Sequence, residues 1–340
     1  MKIFAKGKIL NLLCVIALSF ALAACGSSEA SNSGSATSDE TITLRLGHQA
    51  NEGVTYFNSA EKFAEEMEER TDGKIKIEVY PAAQLGNEVE MTKEVQQGSL
   101  DMVITSTGPL SNFAADFAVF QMPFLFDDVQ HVYDSLEGEF GQLLNEKAEE
   151  VGMKNLGYIG NGFKSLSNSK RPILNAEDLK GLQMRVNEDP LTTDVYRALG
   201  ADPTPIAAPE MYTALQQGVA HGYEGDMPAH DNFKIFEVTD YLSEIQMTFS
   251  ASLILINQDL FDSFEPEIQD IFLELGAKYA KDGTVESEKM EKALFQEAID
   301  SGVEVTRKAD GKIDIESLKE AVQPIYEKNS QFDKYISAIE

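Results

Sequence analysis

Arg185 stands between Met184 and Val186 in "DLKGLQMRVNEDP", the run from Asp178 to Pro190. Leu182 to Val186 reads as a short buried strand, an unusual place for a charge in a chain with 57 acidic and only 28 basic residues. A guanidinium offers a planar fork of N–H donors that matches a carboxylate, and a lysine does not reproduce that geometry. The plainer reading is an ion pair with Glu188 or Asp189. A surface pair contributes about 0–1 kcal/mol, but apolar neighbours on both sides place this arginine deeper than that. Three other residues, His48, Asn51 and Glu88, follow strand ends, where ligands bind in open α/β sheets. Each also fits a cap or a solvated loop residue.

Catalytic patterns are sparse. The four histidines, His48, His131, His221 and His230, form no H-E-x-x-H or cysteine/histidine metal pattern. There is no G-x-S-x-G elbow, no phosphate loop, and no G-x-G-x-x-G after a strand. The glycine-rich "GYIGNG" lacks the required spacing. Acidic residues are too numerous for a glycosidase-like carboxylate pair to be identified by counting. The expectation is a protein that is not an enzyme and needs no cofactor or metal.

The formal charge of −29 argues against nucleic acid or an anionic membrane surface as a partner of the folded part. At the N-terminus, Lys2, Lys6 and Lys8 precede an apolar stretch from Ile9 to Ala21 and the small residues Ala23 and Ala24. This is the grammar of an export signal, here residues 1–24. The apolar stretch is shorter than the roughly 20 residues of a membrane-spanning helix. "LAACG" resembles the bacterial lipobox, which implies lipidation of Cys25 and localisation on the outer face of the cytoplasmic membrane. Cys14 leaves with the signal. Residues 25–41 then form the lipidated cysteine and a Ser/Gly/Ala-rich flexible tether.

Beyond the tether lie roughly 300 residues, enough for two lobes of ordinary domain size. Ile42, Leu44 and Leu46 alternate as in a strand. Tyr56 to Arg70 has helical spacing, and Ile75, Ile77 and Val79 alternate again. Strand, helix and strand in this order predict an α/β fold with a largely parallel sheet. "EVQQGSLDMVI" and "ALQQGVAHGYE" each combine a helix, a glycine stop and a strand start, pointing to two similarly built lobes. Gln130 to Glu150 reads as helical and acidic, "ASLILI" as a strand covered on both faces, and about 265–299 as a long helix with a kink or break at Asp282 and Gly283. Phe124 and Phe126 read as core.

Several long ordered stretches carry a resemblance: "GKIKIEVYPAAQLGNEVE", "VFQMPFLF", "NSKRPILNAEDLKGLQMRV" and "ALGADPTPIAAPEMYTALQQGVAHGYEG". Through them the chain resembles the dicarboxylate-receptor family of solute receptors serving tripartite ATP-independent periplasmic (TRAP) transporters. The resemblance implies a two-lobed, type II-like periplasmic-binding-protein fold with crossing hinge strands and a long C-terminal helix. Lobe 1 is expected over 42–160 and 248–285, lobe 2 over 161–247 and 286–340. It also implies a small organic acid as ligand, with the small and large membrane subunits of a TRAP permease as partners.

In that family the arginine matching Arg185 clamps the ligand carboxylate. Lys164 stands where the sialate-binding branch has a second arginine. Tyr223, Glu224, Gly225 and Asp226 replace the usual Gln-Glu-Asn-Pro, so the amide contact is missing at Gly225. Glu224 and Asp226 disfavour a second ligand carboxylate but accept hydrogen bonds from hydroxyls. The resulting expectation is a hydroxylated monocarboxylate such as a sugar acid. Its alternatives are a dicarboxylate or keto acid, a sensor-linked binding lipoprotein, and an extracytoplasmic enzyme.

Overall fold

Two sheets share the strands of the fold, and the chain passes between them where the interesting residues lie. The structure, a computed structural model, describes residues 41–52 and 55–339. The export segment and Cys25 lie outside the described residues. The first sheet contains β1 (Ile42–Gly47), β2 (Ile75–Tyr80), β3 (Met102–Ser106), β4 (Met153–Phe163) and β10 (Phe249–Asn257), in the order β2-β1-β3-β10-β4. The second contains β5 (Ser165–Asn168), β6 (Gln183–Val186), β7 (Asp202–Pro205), β8 (Gly222–Gly225), β9 (Tyr241–Ser243) and β11 (Glu304–Thr306), in the order β11-β9-β5-β8-β6-β7.

Both sheets are mixed rather than largely parallel, for a topological reason. The chain leaves the first sheet after Phe163 and enters the second at Ser165, with Lys164 alone between them. It returns between β9 and β10. The first two crossings run in opposite senses, so β10 pairs antiparallel with β3 and β4, and β5 pairs antiparallel with β8 and β9; a third crossing, after β10, leads into β11. The other ladders, β1 with β2 and β3, β6 with β7 and β8, and β9 with β11, are parallel. Of the nine residues of β10, only Ser250 is not buried, as the unbroken apolar run predicts.

The two helix-stop-strand units fall one in each sheet. Helices Glu88–Gln96 and Met211–Gln216 end before Gly98 and Gly218, both at φ of 72°, where glycine avoids the Cβ clash of the left-handed region. They lead into β3 and β8 respectively. One apolar core runs beneath both sheets, joining Val103 and Leu253 of the first to Met184 and Val186 of the second. Phe126 is buried in it, and Phe124 packs half-buried against it.

The structure refines two helical readings. Residues 130–150 form two helices, Val129–Glu137 and Glu139–Glu150, separated at Gly138. The long helix, Pro266–Asp300, runs 35 residues without a break at Asp282 or Gly283. A Cβ at Gly283 would lie 2.7 Å from Ser59 Oγ and 3.2 Å from Ile159 Cγ2, so this glycine permits close packing. The helix thereby lies on β4 and on helix Thr55–Arg70 and reaches helix Met227–Asn232 and β11, touching elements of both sheets. Among the described residues, no helix is long and apolar enough to cross a membrane.

Candidate functional site

Between the sheets is a cavity of about 60 Å³. Arg185 lines it from β6 and is only 3% exposed. Its Nε donates to the carbonyl of Ile206 at 2.9 Å and its Nη1 to Asn187 Oδ1 at 2.8 Å. These two bonds orient the guanidinium without neutralising it. Neither Glu188 nor Asp189 forms an ion pair with it. Asp189 instead caps helix Pro190–Ala198, its Oδ1 accepting from Thr192 N at 2.7 Å. Five N–H donors on a guanidinium leave a fork available for a carboxylate from outside the chain. Burial pulls the Arg185 pKa down, while Tyr223, Glu88, Glu188 and Asp189 hold it up.

Lys164, the single residue between the sheets, is 6% exposed. Its Nζ donates to Gln121 Oε1 at 2.8 Å and lies 3.9 Å from Glu224 Oε2. The other oxygen of Glu224 accepts from Thr248 Oγ1 at 2.9 Å. Asp226 caps helix Met227–Asn232, its Oδ1 accepting from Ala229 N at 2.8 Å. Burial raises the Asp226 pKa. Both carboxyls line the cavity, but each already has a protein partner.

Glu88 enters from the opposite wall. Asn87 and Glu90 form a reciprocal capping box with both bonds at 2.9 Å, fixing Glu88 in the first turn of its helix. Its Oε1 accepts from both the backbone N and the Oγ of Ser106, each at 2.8 Å. Burial pushes its pKa to about 7, against the Ser106 bonds and the charge of Arg185. Glu88 therefore titrates near neutrality.

Two other expected residues lie elsewhere. His48 is fully buried outside the cavity lining, edge-on to Tyr56 and Phe57, with Nδ1 accepting from Ala50 N at 3.2 Å. Burial lowers its pKa to about 4, so it is neutral at physiological pH. Asn51 does not line the cavity but is bonded to Asn232, which does. Its backbone N donates to Asn232 Oδ1 and its Nδ2 to the Asn232 carbonyl, both at 2.9 Å.

Asn161 was not singled out in the sequence, yet it lines the cavity. The β4–β10 register pairs Gly160 with Ala251 and Gly162 with Ser250, leaving Asn161 as the extra residue of a bulge. A bulge re-aims a side chain, and Gly162, at φ of 112°, supplies the required backbone. Asn161 Nδ2 donates to Ser252 Oγ at 2.9 Å, while its buried Oδ1 has no hydrogen-bond partner. The glycines flanking Asn161 in "GNGF" were the signal for this residue. Gln121, which also lines the cavity and lies between Phe120 and Met122 in the sequence, gave none. Among the described residues, no group of three or more His, Cys, Asp or Glu is arranged to hold a metal ion.

The family described as bacterial extracellular solute-binding protein, family 7, matches residues 46–332. A solute-binding protein of Verminephrobacter eiseniae is 33% identical over 295 residues, 86% of this chain and 84% of that protein. Two crystal structures of TRAP periplasmic solute-binding proteins are similar throughout. One, from a Polaromonas species and bound to D-erythronate, has 33% identity and a TM-score of 0.81, covering 88% of this chain and 98% of that one. The other, from a Sulfitobacter species with bound β-D-galacturonate, has 29% identity and a TM-score of 0.84, covering 88% and 99%.

Proposed function

The chain belongs to family 7 of the bacterial extracellular solute-binding proteins, the receptors of TRAP transporters, and from that premise we propose that it captures a sugar acid, a hydroxylated monocarboxylate, for delivery to a TRAP permease. The observation that carries this reading is Arg185: buried, oriented by two neutral acceptors, and without an ion pair among the described residues. One ligand carboxylate completes it. Around it, Glu88, Glu224 and Asp226 line the same cavity. Glu224 and Asp226 disfavour a second carboxylate, and all three groups accept hydrogen bonds from hydroxyls. The acids bound by the two similar crystal structures have this chemistry.

In this reading residues 42–160 with 248–285, and 161–247 with 286–340, act as the two lobes that close on the ligand. Micromolar capture needs about −8 kcal/mol, which a desolvated arginine–carboxylate pair with several hydrogen bonds supplies. The acid is held without chemical change. Cys25 carries the lipid, and residues 26–41 tether the receptor to the membrane face.

The test is titration calorimetry with D-erythronate, D-galacturonate and a C4-dicarboxylate. At least one sugar acid should bind in the micromolar range and be recovered unchanged after long incubation. Preference for the dicarboxylate, or turnover of the acid, contradicts the reading. For the anchor, Cys25→Ser should release the protein from membranes without altering its affinity. Retention of that variant on the membrane contradicts lipidation at Cys25.

A further inference from the structure

Tyr223 and Gly225 are two residues apart on β8 and therefore share one face of the strand. The Tyr223 ring is 4% exposed and lies beside the anchor, its centroid 5.6 Å from the guanidinium carbon of Arg185, its register partner on β6. From there the ring runs along the strand over Gly225. A Cβ at position 225 would stand 1.9 Å from the phenolic oxygen, 2.2 Å from Cζ and 2.5 Å from Cε1 of Tyr223. No side chain fits there while the ring holds this position.

Gly225 is not among the glycines with positive φ, so its backbone makes no demand that alanine could not meet. Space alone explains the glycine. On the ring's other side, His230 lies 5.0 Å away centroid to centroid, and its Nδ1 hydrogen-bonds the Asp226 carbonyl at 2.8 Å. The ring is thus held between the anchor, a buried imidazole and a bare stretch of strand. Burial raises the pKa of the phenol, which stays neutral and able to donate a hydrogen bond.

We propose that Tyr223 and Gly225 form one specificity element, a phenol wedge laid across the strand that limits the length of hydroxylated acid the cavity accepts. The inference rests on the sugar-acid reading above and adds the residues that set ligand size. With the ring in place, the volume that a side chain at 225 would occupy belongs to a rigid aromatic group. The hydroxyl it presents comes from two residues upstream. The small cavity suits a compact acid. Removing the ring opens the volume over Gly225 to a longer one.

The experiment titrates D-erythronate, with four carbons, and D-galactonate, with six, into the parent, Tyr223→Ala, Gly225→Ala and the double variant, with a ligand-free thermal melt of each. Tyr223→Ala should shift the ratio of the two affinities toward the six-carbon acid by about tenfold or more, the scale of pocket-size discrimination. Gly225→Ala alone should lower the melting temperature and weaken both acids, because its Cβ displaces the ring. In the Tyr223→Ala background the same substitution should change neither melt nor affinity. An unchanged affinity ratio in Tyr223→Ala, or equal effects of Gly225→Ala in both backgrounds, overturns the wedge. If the parent binds neither acid, the wedge as a gauge of these acids is overturned, and the sugar-acid reading fails with it only if D-galacturonate is also not bound.

Discussion

Two buried cations face the same cavity, and the protein treats them differently. Lys164 is 6% exposed, bonded to Gln121 and 3.9 Å from Glu224, so its charge is answered from within the chain. Arg185 is 3% exposed, held by a carbonyl and an amide, and answered by no carboxylate within ion-pair distance among the described residues. An unanswered buried charge is costly, and it persists where a ligand supplies the partner. The contrast supports the proposal that Arg185 is the binding charge, with Lys164 answered from within the chain.

The largest effect should follow removal of the unanswered charge. Arg185→Gln is expected to cost about 2–5 kcal/mol of sugar-acid binding, by analogy with other truncated buried pairs. Arg185→Lys should recover only part of it, because the ammonium lacks the fork. Calorimetry reads both, and a lysine variant that binds like the parent would show that charge without geometry suffices.

Next in size is the pH dependence set by Glu88. Its folded pKa of about 7 lies above the ordinary 4.5. Between those values the folded protein holds a proton that the unfolded chain has released. The contribution to stability is therefore fully present below pH 4.5 and lost as the pH rises through 7. Glu88→Gln removes this slope, worth about 3 kcal/mol. Melts at pH 5 and pH 8 should converge in the variant relative to the parent, and an unaltered slope would place the titration elsewhere.

A smaller effect tests the answered cation. Lys164→Met leaves Glu224 buried without its neighbour and should lower stability by about 1–3 kcal/mol. Adding Glu224→Gln should recover most of that loss in a denaturant titration. If Lys164→Met reduces ligand affinity as much as Arg185→Gln, the distinction between the two cations fails. The smallest effect belongs to Asn51, where Asn51→Ala removes one of the two bonds to Asn232 of the cavity lining. Affinity should fall about fivefold, the value of one ordinary hydrogen bond.

These contrasts also mark what the sequence made legible. Alternation at Ile42–Leu46 and Ile75–Val79, the glycine stops at Gly98 and Gly218, and the apolar run of β10 are local patterns, and each forms the element its pattern predicts. Arg185 was conspicuous because a charge broke an apolar strand. The antiparallel ladders were not legible, since they depend on which sheet the chain returns to. Nor was the role of Gly283, set by Ser59 more than 200 positions away, or the burial of His48 between two rings. Gly225 stood out as a departure from a family pattern, but its cause is the path of the Tyr223 ring, which only the folded strand fixes.

The central claim is that Arg185 holds the carboxylate of the ligand. Its most direct measurement is a calorimetric cycle of D-erythronate and its uncharged amide against the parent and Arg185→Gln. The parent should prefer the acid by at least about thirtyfold, and the variant should have lost that preference. A variant that still prefers the acid as strongly as the parent would contradict the claim.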